Sequence, residues 1–270
     1  LFLAVWRRIA PFFEAAPGKR NHLAAGGWGG PGAAGCRRSD SSHSIGPNPA
    51  PLTALAPKNY TGENTKGRRG GFVAKALSEM SLEELWRLFP IQLTAYQHGW
   101  ADWYQEEEAR LRPLFQPGAV GRISHIGSTA VPGLWAKPIV DILLEASPGA
   151  EWAPMKRSLL ENGYLCMSQS AGRISFNRGY TENGFAPPVF HLHLRRLGDC
   201  DELYFRDYLR QCPQAAKEYE ALKLSVWKRF EHDRDGYTAA KTQFVQRYTR
   251  QAREIWPGRY EPGQDENRIR

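Results

Sequence analysis

The stretch that decides the fold reads His125-Ile126-Gly127-Ser128-Thr129-Ala130-Val131-Pro132-Gly133-Leu134-Trp135-Ala136-Lys137-Pro138-Ile139-Val140-Asp141. A short apolar run, Val120 to Ile126, ends at Gly127-Ser128. A turn-rich segment follows, and a second apolar run, Pro138 to Leu144, carries one carboxylate, Asp141. A strand ending in Gly-Ser presents backbone N–H groups with no side chain in the way, which suits an anion such as phosphate. A lone Asp on the next strand, facing that turn, suits a divalent metal seated on the same phosphate. A charge inside so apolar a strand is costly unless it is paired or bound to metal. A salt bridge to Lys137 or Arg122 is the plain alternative to a metal- or phosphate-side role.

Outward from this motif the chain divides into elements. Ser81 with Glu84 three residues later forms a capping box for a helix over Leu82 to Leu88, which Pro90 ends. Ile91 to Tyr96 is expected to be a strand, and Trp100 to about Arg112 a helix. Glu151 to Asn162 is another helix, stopped by Gly163. Tyr164 to Gln169 and Arg173 to Arg178 flank Ser170-Ala171-Gly172 as a hairpin. Val189 to Arg196 is a further strand. Asp199 to Gln211, Gln214 to Phe230 and Gly236 to Trp256 are amphipathic helices, the second started by Pro213. The expectation is a single α+β domain: a mixed sheet with helices on one side and a helical C-terminal part.

In Val189 to Arg195, strict alternation puts His191, His193 and Arg195 on one face and Phe190, Leu192 and Leu194 on the other. Two imidazoles on one face are candidate metal ligands, a general base, or an anion site with Arg195. A polar sheet face with satisfied histidines is the bland alternative. Trp100, Trp103 and Tyr104 lie at helical spacing and are read as core.

Gly-Ser followed a little over ten residues on by an acid in an apolar strand resembles the opening signature of the nucleotidyltransferase fold. The longer string Gly127-Ser128-Thr129-Ala130-Val131-Pro132-Gly133-Leu134 to Ala136-Lys137-Pro138-Ile139 and Asp141-Ile142 is narrower, and closely resembles the GrpB family. Met80 to Trp86, the His-x-His strand, Phe205-Arg206-Asp207-Tyr208-Leu209 and the lysines Lys223 and Lys241 carry the same resemblance. Gln97-His98-Gly99-Trp100 departs from the family's Asp-Pro-x-Trp at the start of that helix.

The resemblance implies a nucleotidyltransferase-like mixed β-sheet with helices packed on it, in a bacterial, cytosolic protein. It implies a nucleotide or other phosphate-bearing small molecule as ligand, and a divalent metal, Mg or Mn, as cofactor. Gly127, Ser128 and Thr129 would cradle phosphate, with Lys137, Arg178, Lys223 and Lys241 offsetting its charge. Asp141, His191 and His193 would hold the metal, with Asp141 and His193 as the catalytic pair. Two functions follow: transfer of a nucleotidyl group to a small acceptor, or a catalytically degenerate binding or folding-accessory module like the C-terminal extension of dephospho-CoA kinases. The second gains weight because the superfamily's second carboxylate falls at Leu143. Glu145, on the same face, is roughly 13 Å from Asp141 along a strand, too far to share an ion. Arg206 with Asp207 is expected to be a structural pair holding the helical part to the sheet.

Charge does not point to nucleic acid. Residues 1–79 hold 11 Lys/Arg and 4 Asp/Glu, and residues 80–270 hold 25 and 24, so the basicity belongs to the leader. The leader is rich in Gly, Pro, Ala and Ser without helical or strand period, which is the composition of a disordered segment. Met80 is the first methionine, and residues 1–79 are read as upstream translation. Residues 258–270 are read as a tail. The four cysteines have no Cys-x-x-Cys spacing, which leaves out a zinc or redox pair. From Met80 onward no apolar run is long enough to span a membrane, and no membrane partner is expected.

Overall fold

A computed structural model describes residues 75–262. The Gly/Pro-rich leader up to residue 74 and the last eight residues lie outside the described residues, and with them most of the start-site reading. The five strands are β1 (Val120–Ile126), β2 (Val140–Ala146), β3 (Leu165–Ser170), β4 (Arg173–Thr181) and β5 (Gly184–Arg196). They form one mixed sheet in the order β1-β2-β5-β4-β3. Only β2 and β5 run parallel, and the rest of the ladder is antiparallel.

Two helices, α2 (Gly99–Leu111) and α3 (Trp152–Glu161), cover one face. Beneath them Val140, Ile142, Leu144, Phe190, Leu192, Leu194 and Phe176 pack with Trp100, Leu111, Met155 and Leu159. The C-terminal helices α4 (Asp201–Gln211), α5 (Pro213–Val226) and α6 (Arg234–Ile255) pack on the other face, around Ile126, Leu143, Leu203 and Tyr208. Helices therefore sandwich the sheet, where the sequence suggested one side. The alternation explains why: β2 buries Val140, Ile142 and Leu144 on one face and Leu143 on the other, and each side needs a cover.

The short helix α1 (Leu82–Leu88) begins where the capping box places it. The Ser81 amide donates to Glu84 Oε2 at 2.5 Å and the Glu84 amide to Ser81 Oγ at 3.2 Å. Ile91 to Tyr96 is not a strand; it makes a single bridge, Thr94 to Ala136, and otherwise runs as a link. Helix α2 starts at Gly99 with His98 giving no side-chain cap, in keeping with the atypical sequence there. The folded region also reaches beyond Met80 and Pro257. Leu77 is buried with Leu85 and Met167. At the other end the Arg122 guanidinium donates to the Tyr260 carbonyl, and the Tyr260 hydroxyl to Asp207.

Candidate functional site

β1 and β2 pair antiparallel so that Ile126 lies opposite Asp141, which sets the Gly127 bend beside the carboxylate. Gly127 has φ 73° and ψ −170°. That backbone region belongs to glycine. A Cβ built there would sit 2.3 Å from Asp141 Oδ2. The bend is held from behind. His125 stacks on Tyr104 at 4.8 Å between ring centroids, and its Nε2–H donates to Thr129 Oγ1 at 3.0 Å. The Thr129 hydroxyl in turn donates to the Ile139 carbonyl at 3.2 Å. Burial, with the nearby Arg210 and Arg206 charges against the opposing pull of Asp141, lowers His125 to about 4, so the ring is neutral. The Thr129 side chain, expected to cradle phosphate, is buried in this brace and has no free hydroxyl.

β5 lies beside β2 with His191 next to Asp141 and His193 next to Leu143. The His191 Nδ1–H donates to Asp141 Oδ1 at 3.1 Å, and His191 Nε2 accepts from the Tyr180 hydroxyl at 2.8 Å. Both ring nitrogens are therefore used. His193 Nε2 stands 4.0 Å from Asp141 Oδ1, and its Nδ1 is 3.5 Å from Ser175 Oγ. Burial lowers His191 to about 4 against the opposing pull of Asp141, and burial with the Arg195 charge lowers His193 to about 3. Asp141 goes the other way. Burial works to raise it, but the His191 hydrogen bond and the Lys137 charge bring it to about 2. The pair is thus an ionised carboxylate and a neutral imidazole.

Around this single acid stand four cations. Lys223, 2% exposed, donates to Ser128 Oγ at 3.2 Å and to the Trp135 carbonyl. Lys241 lies over the Tyr237 ring at 3.7 Å, and Lys137 stands 5.9 Å from the same ring. Arg234, the first residue of α6, is half-buried and acts electrostatically on Lys137, His191, His193 and Lys241. Among the described residues none of Lys137, Lys241 and Arg234 has a carboxylate within 4.0 Å. Burial first, then Arg234, lowers Lys137 to about 8. Burial and Lys137 lower Lys223 to about 7, with Glu220 opposing. Burial and the charges of Lys137 and Lys223 hold Lys241 well below its ordinary value. Buried and half-buried amines crowded together, with only Asp141 and Glu220 acting against them, make a site for an anion.

One of the expected cations lies elsewhere. Arg178 points to the opposite face of the sheet, where its Nη1 donates to Glu107 Oε2 of α2 at 2.5 Å. Arg173 pairs with Asp199 at 2.8 and 2.9 Å. Arg206 does pair with Asp207, at 2.7 Å, and donates to the His125 carbonyl at 2.9 Å, tying α4 to β1. Tyr180 and Arg234 were not foreseen. Strict alternation puts Tyr180 with Arg178, but the pairing slips between them at Gly179 (φ 86°) and re-aims the tyrosine toward His191.

The donor set does not fit a resident divalent metal. Asp141 is the one carboxylate at the bend, His191 has both nitrogens engaged, and Leu143 is fully buried in the apolar cluster under α4. Glu145, fully buried, is held by Arg122 at 2.5 and 3.0 Å and by the Gly198 amide at 2.9 Å. Among the described residues no group of three or more His, Cys, Asp or Glu side chains is placed to hold an ion. A surface groove of about 400 Å³ beside α3 and β3, lined by Trp152, Lys156, Arg157 and Leu160, contains none of this chemistry.

The crowded lysines give stability a pH dependence. An unfolded lysine titrates near 10.4, so between about pH 7 and 10 the unfolded chain binds more protons than the native one. The stability these depressed groups contribute is complete above the unfolded value and is lost as pH falls through 8 and 7. The melting temperature of the ligand-free protein is expected to climb from pH 7 to 9.5, and saturating phosphate to remove the climb by keeping the amines charged. A flat or falling profile without phosphate contradicts the crowding.

Comparison with known proteins agrees with the fold. The GrpB protein family model matches residues 90–251, more than half of the chain, so the chain belongs to that family. It is 30% identical over 186 residues to the UPF0157 protein YqkA of Bacillus subtilis, which covers 66% of this chain and 52% of that one. The UPF0157 protein PA4798 of Pseudomonas aeruginosa is 34% identical over 160 residues, 58% of this chain and 65% of that one. The match thus spans about half to two thirds of these two relatives. The glutamate-rich protein GrpB of Alkalihalophilus pseudofirmus is 34% identical over 57% of this chain and 90% of that one. The crystal structure of conserved protein GrpB from Enterococcus faecalis superposes with a TM-score of 0.53 at 27% identity, covering 61% of this chain and 99% of that chain. No helix among the described residues is long and apolar enough to cross a membrane.

Proposed function

We propose that this GrpB-family protein binds a phosphate-bearing small molecule against the Gly127-Ser128 bend, and that it does so without a resident metal. The observation that carries this is the gathering of Lys137, Lys223 and Lys241 around one carboxylate at a bend only glycine can make. Ser128 Oγ and Lys223 Nζ face one side of the bound oxyanion, and Lys137 and Lys241 supply the charge that neutralises it. Asp141 offsets part of the lysine charge when the anion is absent and keeps His191 fixed through its Nδ1–H.

The resemblance to nucleotidyltransferases carries a metal pair and a transfer step. The fully buried Leu143 and the doubly engaged His191 support binding over transfer, because magnesium on a nucleotide would find a single ionised ligand, Asp141, at this bend. A binding or accessory module is accordingly the function the geometry supports best, with a nucleotide as one form the phosphate-bearing molecule can take.

Calorimetry separates the two readings. Inorganic phosphate and ATP are expected to bind in EDTA about as tightly as with magnesium, and no pyrophosphate is expected to be released from ATP with small hydroxyl or amine acceptors. Metal-dependent pyrophosphate release that vanishes in Asp141→Ala makes the protein an enzyme and overturns the metal-free reading.

A further inference from the structure

The cations around Asp141 run from Ser128 toward Arg234, whose charge acts on Lys137 and Lys241 but is not among those acting on Lys223. Lys223 sits at the Ser128 end, and the side chains whose charges act on it are Glu220 and Lys137. Lys137 and Lys241 stand in the middle: Lys137 acts on Lys223 and is acted on by Arg234, and Lys241 is acted on by Lys137, Lys223 and Arg234. Arg234 closes the far end.

At that end lies a small cavity of about 30 Å³ with Lys137 and Arg234 in its walls, together with Tyr180, Trp86, Phe89 and Phe185. By volume it has room for about two water-sized groups, and a nucleoside is far larger. Its walls contain two cations and no carboxylate. The Trp86 indole Nε1–H is shut away from solvent and has no acceptor among the described residues. Buried donors left without an acceptor are uncommon, because each forfeits the free energy of its lost water contact. Arg234 has no carboxylate within 4.0 Å either. Lys137, Arg234 and Trp86 thus share the wall of one hole, otherwise lined largely by apolar side chains, that is too small for a ring and whose only charges are positive.

We infer that this cavity is a second oxyanion subsite continuous with the bend, so that the ligand carries two linked phosphoryl groups, a diphosphate, rather than one. The inference rests on the phosphate reading above. The first phosphoryl group lies at Ser128 and Lys223, Lys137 and Lys241 serve both, and two oxygens of the second enter the cavity beside Arg234 and Trp86. The cavity extends the site by residues of α1 and α6 that lie outside the Gly-Ser to Asp141 motif.

Binding of two metal-free anions to the full chain, in EDTA at fixed ionic strength, tests it. Pyrophosphate is expected to bind at least about tenfold more tightly than inorganic phosphate, the gain of one further charge-assisted set of hydrogen bonds. Arg234→Met is expected to bring pyrophosphate to within about threefold of phosphate, weakening phosphate itself far less than pyrophosphate. Trp86→Phe, which keeps the ring and removes only the N–H, is expected to weaken pyrophosphate several-fold and phosphate not at all. Phosphate binding that Lys223→Met abolishes, with pyrophosphate no tighter in the unaltered protein, overturns the second subsite and leaves the first. Equal weakening of both anions by Arg234→Met also overturns it. Failure of both anions to bind removes the phosphate reading itself.

Discussion

Lys241→Met is expected to make the ligand-free protein more stable at pH 7 and to weaken phosphate binding by at least about tenfold. The two effects have one origin. The Lys241 amine sits half-buried with Lys137, Lys223 and Arg234 acting on it, and burial plus those charges hold it well below its ordinary titration range. Its compensation is a contact with the Tyr237 ring at 3.7 Å, worth on the order of 1 kcal/mol. Crowding outweighs that contact, or the amine would not be depressed. Methionine has similar length, packs on the same ring and carries no charge, so the melting temperature is expected to rise by a few degrees. If Lys241 were only packing its aliphatic stem against Tyr237, the substitution would leave anion binding untouched and lower or hold the melting temperature. Thermal melting with and without phosphate, together with calorimetry, separates the outcomes.

Gly127→Ala is expected to cost about 3 kcal/mol or more in stability and to eliminate anion binding. Two effects add. The backbone at φ 73° and ψ −170° is disfavoured for any residue with a Cβ, and that Cβ would stand 2.3 Å from Asp141 Oδ2 and 3.0 Å from its Cβ. The carboxylate cannot simply swing away, because His191 holds its other oxygen at 3.1 Å. Gly133→Ala is the control. It shares the positive φ, at 78°, but nothing lies within 4 Å of its built Cβ, so it is expected to show the conformational penalty alone, about 1–2 kcal/mol. Urea unfolding of the two variants measures the difference. Equal losses would mean that the bend and the acid are not in contact.

Much of this site was legible from the chain. A small-residue turn after one apolar run and a lone acid in the next fix a two-strand unit, and the period of two put His191 and His193 on one face, which the parallel pairing of β2 with β5 makes the face of Asp141. The Ser81 capping box and the Pro213 helix start needed only local chemistry. What was not legible depends on long-range packing. Thr129 reads as a cradle hydroxyl until His125 and the Ile139 carbonyl are seen to consume it. Arg178 reads as a phosphate ligand until α2 supplies Glu107 on the far face. Tyr180 is hidden by the slip at Gly179, which breaks the alternation on which its side would be judged. Arg234 opens a helix distant in sequence, and nothing local marks it as part of the pocket. The strand expected at Ile91 to Tyr96 fails for the same reason: its partner is one residue, Ala136, rather than a ladder.

The most direct test is a crystal structure of the protein grown with tungstate, a heavy tetrahedral stand-in for phosphate. The expected result is an anomalous peak beside the Gly127-Ser128 bend, with oxyanion oxygens about 3 Å from Ser128 Oγ and Lys223 Nζ and facing Lys137 and Lys241. Tungstate bound only at other surfaces, with the bend empty and the lysines unmoved, would contradict the account.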